Sequence, residues 1–105
     1  MKAATYAERL AAKTSERGRL CVGIDPMPSV LDAWGEGNDL AGLERVSRGI
    51  VETLGSTIAV FKPQSAFFEP FGSGGVAVLE RVIDDIRQAG ALSLLDVKRG
   101  DIGSS

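Results

Sequence analysis

The sequence contains no histidine, and only one of its 105 residues is a cysteine, Cys21. Without histidine, Ser-His and Cys-His nucleophilic catalysis within these residues are excluded, and acid–base chemistry falls to Asp, Glu and Lys. A single cysteine can form neither a disulfide nor a cysteine-based zinc site within one chain. Because Cys21 lies between Leu20 and Val22, we expect it to be a buried small hydrophobe rather than a reactive thiol.

Long apolar runs and a dominant charge are also missing. No apolar run reaches the 18 residues of a membrane span, and Glu8 and Arg9 lie where a signal peptide would be apolar. The net charge is -2, with acids and bases mixed along the chain, which provides no electrostatic footprint for nucleic acid or a membrane surface. These features predict a cytoplasmic protein without a nucleic-acid or membrane partner.

Apolar residues follow two patterns that alternate along the chain. Helical spacing is found over residues 5–17, 40–54 and 76–86, and a helical turn fits around residues 30–34. Short apolar runs, typical of strands buried on both faces, cover residues 19–24, 57–61 and 91–95. The order α-β-α-β-α-β predicts an α/β fold with a parallel sheet and right-handed crossovers.

The segment from Gln64 to Gly75 has the composition of a loop, with one proline and three glycines. Its three phenylalanines, Phe67, Phe68 and Phe71, are expected to seat the loop on the scaffold rather than to stack on a ligand. The glycines lack the Gly-x-Gly-x-x-Gly spacing of a dinucleotide-binding fold.

Each predicted strand ends at its carboxyl terminus in an ionisable residue, namely Asp25, Lys62 and, after the third strand, Asp96 and Lys98. A single charge at a strand end is explained by its reaching solvent. Several charges that converge at the carboxyl ends of parallel strands are typical of the active site of a β/α barrel.

Lys98 lies between two carboxylates in the sequence, Asp96 and Asp101. At about 4 Å and an effective dielectric constant of ~20, each would favour the ammonium form by on the order of 4 kcal/mol before desolvation is subtracted. We therefore expect a charged Lys98, suited to donate a proton or stabilise an anion, rather than a Schiff-base amine.

The segment Asp96-Val97-Lys98-Arg99-Gly100-Asp101 resembles the Asp-x-Lys-x-x-Asp signature of the orotidine 5'-phosphate decarboxylase family. The signature alone is shared by a wider group of β/α-barrel enzymes that act on sugar phosphates. In the bacterial branch of the family, Pro and Gln follow the lysine after the second strand, which here is Lys62. This branch is resembled, in order and spacing, by the segments Gly23–Pro26, Phe61–Gln64 and Leu95–Gly103.

The resemblance implies a TIM (β/α)8 barrel, of which about the first three β/α units are present. Such a barrel has ~250 residues, and a three-stranded piece would expose unpaired strand edges. Residues 1–105 are therefore expected to be the amino-terminal part of a single barrel domain, inactive in isolation. The family's phosphate-binding residues come later in its chain and have no counterpart here.

The activity that the resemblance implies is decarboxylation of orotidine 5'-monophosphate to UMP and CO2 in de novo pyrimidine biosynthesis, without a metal or other cofactor. The implied partner is a second copy of the chain, in a homodimer. The roles that the family would assign begin with ribose binding by Asp25 and by Lys62, which also joins the catalytic charge network. The others are contact with the substrate carboxylate by Asp96, protonation of C6 by Lys98, completion of the partner's catalytic site by Asp101, and lining of the pyrimidine pocket by Ile102.

Two alternatives remain open from the sequence. The first is another decarboxylase or aldolase of the same barrel group, which acts on a ketose phosphate and usually uses magnesium. The second is a non-catalytic β/α piece that binds a phosphorylated ligand or a partner chain.

Overall fold

The computed structural model describes residues 4–96, which form a three-stranded sheet covered by helices. The strands are parallel, in the order β1-β2-β3, with Cys21 opposite Val60 and Val60 opposite Leu92. The predicted alternation and the parallel sheet are thus confirmed. The elements are α1 (Tyr6–Arg17), β1 (Cys21–Ile24), α2 (Pro28–Ala33), α3 (Leu40–Leu54), β2 (Val60–Pro63), two 3-10 turns (Ser65–Phe67 and Glu69–Phe71), α4 (Gly72–Gln88) and β3 (Leu92–Ser93).

Two of the helices begin at capping residues that the sequence makes recognisable. Before α1, the Thr5 hydroxyl accepts a hydrogen bond from Glu8 N at 3.1 Å, and the Glu8 carboxylate accepts one from Thr5 N at 2.8 Å. Before α3, the Asp39 carboxylate accepts a hydrogen bond from Gly42 N at 2.7 Å. Each cap satisfies N–H groups that have no partner within the helix, which fixes where the helix starts.

Gly42 is also required by packing. A Cβ atom at Gly42 would lie 2.0 Å from the backbone oxygen of Gly37, in the loop before α3. By contrast, a Cβ at Gly49 in the same helix would meet only the edge of the exposed Trp34 indole, at 3.1 Å. The first glycine therefore permits the loop to fold closely against the helix, whereas the second has a neighbour that can move.

The core lies between one face of the sheet and helices α3 and α4. Ile24 and Phe61 from the sheet are fully buried there, and Val22 packs against them. Burial of each large side chain contributes ~1.5–3 kcal/mol, so this face supplies much of the stability. The helix side chains in the core are Leu43 and Val51 of α3 and Val78, Leu79, Val82 and Ile86 of α4.

The loop after β2 packs on this core. Phe68 is fully buried in it, and Phe71 packs against it, which confirms the packing role expected of these aromatic residues. The segment is more regular than predicted, because two 3-10 turns occupy it and α4 begins at Gly72 instead of residue 76.

Helix α1 buries no residue, but Arg17 at its end ties three parts of the chain together. Its Nη1 donates to Gly55 O at 2.7 Å and to Ile58 O at 3.2 Å, and its Nη2 donates to Ala89 O at 3.1 Å. Gly90, with φ of 84°, allows this approach, since a Cβ there would lie 3.0 Å from Nη2. The guanidinium thus joins the end of α1, the turn before β2 and the end of α4.

Helices α3 and α4 are also joined by a bidentate ion pair on their surface. Arg48 Nε donates to Asp85 Oδ2 at 2.7 Å, and its Nη2 donates to Asp85 Oδ1 at 3.1 Å. The hydrogen bonds to Asp85 and Glu44 raise the pKa of the Arg48 guanidinium. The bidentate contact between the guanidinium and the carboxylate therefore fixes the two helices in register. A lysine ammonium could not form it.

The expectation that Cys21 is buried is wrong. Cys21 is exposed, and Ile24 is the one buried side chain in β1. The reason is that only one face of the strand is covered by helices within residues 4–96, so the first strand is not buried on both faces as predicted.

The strand limits also differ from the prediction. Strand β2 covers Val60–Pro63 rather than 57–61, because Thr57 N and Ile58 N both donate to Leu54 O at 3.1 Å and prolong the end of α3 as a turn. Strand β1 starts at Cys21 rather than Arg19. None of the helices within residues 4–96 combines the length and the apolar character needed to cross a membrane.

Candidate active site at the carboxyl ends of the strands

Three polar residues lie in one row where the strands end. Gln64 pairs with Asp96 in a parallel bridge, and the register of β1 and β2 places Asp25 next to Gln64 on the other side. Side chains alternate along a strand, and Ile24 and Pro63 are fully buried on the helix side. The row therefore belongs to the opposite, uncovered face of the sheet.

Asp96 is positioned by the backbone of β2. Its N–H donates to Pro63 O at 3.0 Å, and its carbonyl oxygen accepts a hydrogen bond from Ser65 N at 3.0 Å. These bonds continue the pairing of β3 with β2 beyond Ser93. The N–H and the carbonyl group of Asp96 are therefore both held by hydrogen bonds. The backbone thus sets the place from which the Asp96 side chain projects.

Lys62 and Asp96 form an ion pair at this end of the sheet. Lys62 Nζ lies 3.9 Å from Asp96 Oδ2, and the side chains are 42% and 29% exposed. At that distance the attraction is about 1 kcal/mol in water and about 4 kcal/mol at an effective dielectric constant of ~20. Because both groups reach solvent, we take the lower figure. The structure thus brings together two of the residues that the sequence predicted as catalytic.

Asp25 lies on the same face of the sheet. A Cβ atom on Gly23 would lie 3.0 Å from Asp25 Oδ2, so the carboxylate is folded over the glycine that precedes it by two residues. The backbone of Asp25 is turned away from the strand by a hydrogen bond from Met27 N to Asp25 O at 2.8 Å. Gly23 therefore provides the space in which the Asp25 carboxylate rests.

Three of the predicted site residues, Lys98, Asp101 and Ile102, lie outside the described residues. Their roles stay predictions. In the described range, no three or more His, Cys, Asp or Glu side chains come together in a way that could hold a metal ion.

Gln64 belongs to this face but had no role in the expected site. In the sequence it stands out only as part of the segment Phe61–Gln64. Its position two residues after Lys62, directly beyond β2, nevertheless indicates that both side chains share a face. Its Oε1 is buried and has no hydrogen-bond partner among residues 4–96.

Comparison with known proteins supports, over most of the chain, the family that the sequence resembles. The family described as "Orotidine 5'-phosphate decarboxylase / HUMPS family" matches residues 18–105. The protein named orotidine 5'-phosphate decarboxylase from Salinispora tropica is 59% identical over 101 residues, which are 96% of this chain and 36% of that protein. The protein of that name from Streptomyces coelicolor is 58% identical over 100 residues, 95% of this chain and 36% of its own length.

Solved structures support the match in three dimensions. A crystal structure from Streptomyces avermitilis, provisionally given the same enzyme name, has a TM-score of 0.90 and 59% identity, and the alignment covers 99% of this chain and 36% of that one. Leishmania donovani UMP synthase has a TM-score of 0.74 and 32% identity, with 94% of this chain and 20% of that one covered. This chain thus spans little more than a third of the length of the curated relatives it matches.

The expected fold class is therefore confirmed. The three parallel strands and their helices are part of a TIM (β/α)8 barrel, whose catalytic end is formed by the carboxyl ends of its strands. Because the family model matches residues 18–105 and the fold agrees with a solved structure, the chain belongs to the orotidine 5'-phosphate decarboxylase / HUMPS family.

Proposed function

We propose that these 105 residues are the amino-terminal portion of an orotidine 5'-phosphate decarboxylase, which converts orotidine 5'-monophosphate to UMP and CO2 without a cofactor. The observation that carries this proposal is the Lys62–Asp96 pair at 3.9 Å, with Asp25 on the same face of the sheet. The names of the relatives at 58–59% identity support the choice of substrate.

The proposed chemistry explains why charged groups are placed here. Loss of CO2 from a ring carbon leaves an anion in the plane of the ring, so the enzyme must stabilise a localised negative charge. A fixed ammonium group beside that carbon does so and then supplies the proton, which is the role we assign to Lys98. Lys62 balances the charge of Asp96, which keeps the described part of the site from becoming strongly negative.

Asp96 has a second proposed effect. Its carboxylate would face the carboxylate of the substrate, and the repulsion between them disappears as neutral CO2 departs. We assign this effect a smaller share than the stabilisation of the anion by the ammonium group. Asp25 and Lys62 would bind the ribose hydroxyls, and Ile102 would line the pocket for the pyrimidine. Binding at groups far from the reacting carbon supplies energy that is used in the transition state.

We further propose a homodimer in which Asp101 of each chain completes the site of its partner, as the resemblance to the family implies. The proposed substrate is a nucleoside monophosphate, and its charged phosphate prevents passage through membranes. This supports a cytoplasmic location for the enzyme.

The test is turnover of orotidine 5'-monophosphate, followed by ultraviolet absorbance, with an enzyme that contains this segment within the whole barrel. Lys98→Ala should lower kcat by at least ~10²–10⁴-fold, the usual contribution of a general acid. The control is Lys13→Ala, because Lys13 lies on α1 and pairs with Glu16 at 3.2 Å. Unchanged turnover in Lys98→Ala, or activity only on a ketose phosphate with magnesium, would contradict the proposal.

The shared site has its own test. Mixing Asp101→Asn subunits with Lys98→Ala subunits should regenerate one intact site in each heterodimer. No recovery of activity on mixing would argue against a site built from two chains. Decarboxylation by the 105-residue chain alone would refute its assignment as a portion of the enzyme.

A further inference from the structure

Ser65 is a junction between the loop after β2 and the end of β3. The residue is only 4% exposed, and its N–H donates to Asp96 O at 3.0 Å. Its hydroxyl donates to Glu69 Oε2 at 3.1 Å, and its carbonyl oxygen accepts a hydrogen bond from Phe68 N at 2.9 Å. Since the N–H, the carbonyl and the hydroxyl are all paired, Ser65 is held in place from three directions.

The hydroxyl of Ser65 is anchored within its own loop. Glu69 begins the second 3-10 turn and is exposed, whereas Phe68, directly before it, is fully buried in the core. The hydrogen bond from the hydroxyl to the carboxylate therefore links the first 3-10 turn to the second. A hydrogen bond to a carboxylate is stronger than one between neutral groups, so this link restrains the Ser65 main chain.

The group that the Ser65 N–H holds belongs to a proposed catalytic residue. The carbonyl of Asp96 is part of the peptide bond to Val97, the residue before Lys98. The N–H of Asp96 is held separately by Pro63 O at 3.0 Å. The hydrogen bond from Ser65 thus fixes the orientation of the Asp96 carbonyl group. This matters because a displacement of about 1 Å at a reacting group can lower a rate by about 10²-fold.

We propose that Ser65 and Glu69 are positioning residues. Their side-chain hydrogen bond holds the Ser65 N–H against Asp96 O, and thereby holds Asp96 in the geometry that turnover requires. Neither side chain contacts the substrate in this proposal, which rests on the proposed function because it takes Asp96 as catalytic. The proposed ribose-binding residues, Asp25 and Lys62, do not take part in this hydrogen bond, so ribose binding and turnover should respond differently to its loss.

The variants that test this inference are Ser65→Ala, which removes the donor, and Glu69→Ala, which removes the acceptor. The matched control is Ser47→Ala, because Ser47 is also buried, on α3, and its hydroxyl has no hydrogen-bond partner among residues 4–96. In the whole-barrel enzyme, kcat and KM are measured with orotidine 5'-monophosphate, and UMP binding is measured by calorimetry. Exchange of the residue 65 N–H with deuterium, followed by NMR, reports the hydrogen bond to Asp96 directly.

Ser65→Ala should lower kcat roughly tenfold, which corresponds to the loss of one hydrogen bond to a carboxylate. UMP lacks the carboxylate that Asp96 would face, so it should bind this variant within about twofold of the wild type. The residue 65 N–H should exchange roughly tenfold faster, whereas the Gln64 N–H, which donates to Ile24 O at 3.1 Å, should not change. Ser47→Ala should match the wild type in all of these measurements.

The Glu69 variants separate the hydrogen bond from the charge. Glu69→Ala should lower kcat at least as much as Ser65→Ala, because it leaves the buried hydroxyl without its acceptor. Glu69→Gln should retain most of the activity, since its amide oxygen still accepts the hydrogen bond. The double variant Ser65→Ala/Glu69→Ala should match Ser65→Ala alone, and it replaces Glu69→Ala in the test if that variant does not fold.

A wild-type kcat in Ser65→Ala would overturn the inference, and so would a fall in kcat that is matched by an equal loss of UMP affinity. Losses that multiply in the double variant would show that the two side chains act independently, which contradicts a shared hydrogen bond. Glu69→Gln as impaired as Glu69→Ala would mean that the charge acts instead of the hydrogen bond.

The two proposals fail in different ways. Wild-type enzyme that does not decarboxylate orotidine 5'-monophosphate would refute the proposed reaction, while exchange of the residue 65 N–H would still test the hydrogen bond. Enzyme that turns over this substrate, with kcat and exchange both unchanged in Ser65→Ala, would refute the positioning role alone.

Discussion

Replacement of Arg17 by methionine should destabilise the barrel more than replacement of a surface arginine. The guanidinium donates to the carbonyl oxygens of Gly55, Ile58 and Ala89 at 2.7, 3.2 and 3.1 Å, and its side chain is only 14% exposed. Methionine keeps the apolar stem but leaves these carbonyl groups without their donor. Since these hydrogen bonds are only partly buried, water can replace part of what is lost.

The size of the effect follows from the number of donors. Hydrogen bonds from a charged group contribute ~1.5–3 kcal/mol each, and Nη1 is shared by two acceptors, so we count two full bonds at the lower figure. The free energy of unfolding should fall by about 3 kcal/mol. In a barrel of ~250 residues this lowers Tm by roughly 6–12 °C. Arg17→Lys keeps the charge but not the fork, and should lose about half as much.

The measurement is urea or guanidinium denaturation of the whole-barrel enzyme, followed by circular dichroism. The control is Arg19→Met, because Arg19 is exposed and forms no hydrogen bond or ion pair with other residues in the range 4–96. A difference between Arg17→Met and this control below ~0.5 kcal/mol would refute the argument, since a surface change has an effect of that size. Activity per folded molecule should not change, because Arg17 lies at the end of the sheet opposite the site.

Three further changes test the packing and the site. Gly42→Ala should destabilise by ~1–3 kcal/mol or more because of the 2.0 Å contact with a backbone oxygen, whereas Gly49→Ala should be neutral or stabilising, as chemical denaturation would show. In a double-mutant cycle, Lys62→Met and Asp96→Asn should show a coupling of about 1 kcal/mol in stability, and a value above ~3 kcal/mol would mean that the pair is desolvated. Gly23→Ala should raise KM by roughly threefold to tenfold with little change in kcat, because its Cβ would displace the carboxylate that lies 3.0 Å away; a loss of kcat alone would contradict this.

Local signals in the sequence were sufficient to predict that the helices exist and that they alternate with parallel strands. Helix α3 spans the predicted residues because Asp39 caps it and its apolar residues recur on one face. The start of β2 was not predictable in the same way, because Ile58 has the apolar character of a strand residue but bonds back to Leu54. Competition between a helix end and a strand is decided by hydrogen bonding that composition does not record.

The candidate site shows the same limit. Lys62 and Asp96 were predicted to converge because parallel strands present their carboxyl ends at one edge, and the structure places them 3.9 Å apart. Gln64 carried no charge and so gave no signal, although its place in the row with Asp96 is fixed by the backbone. Whether a polar atom is buried without a partner depends on packing, and single-sequence patterns do not report packing.

Because Cys21 is exposed, a thiol reagent can report whether the uncovered face of the sheet is accessible. Its thiol lies on β1 two residues before Gly23, so it projects from the face that carries Asp25 and Lys62. In a closed barrel that face points inward and is filled by side chains. A reagent that reacts with exposed thiols would therefore modify Cys21 rapidly while the sheet is open and slowly once the barrel has closed, so that the labelling rate follows assembly of the enzyme in real time.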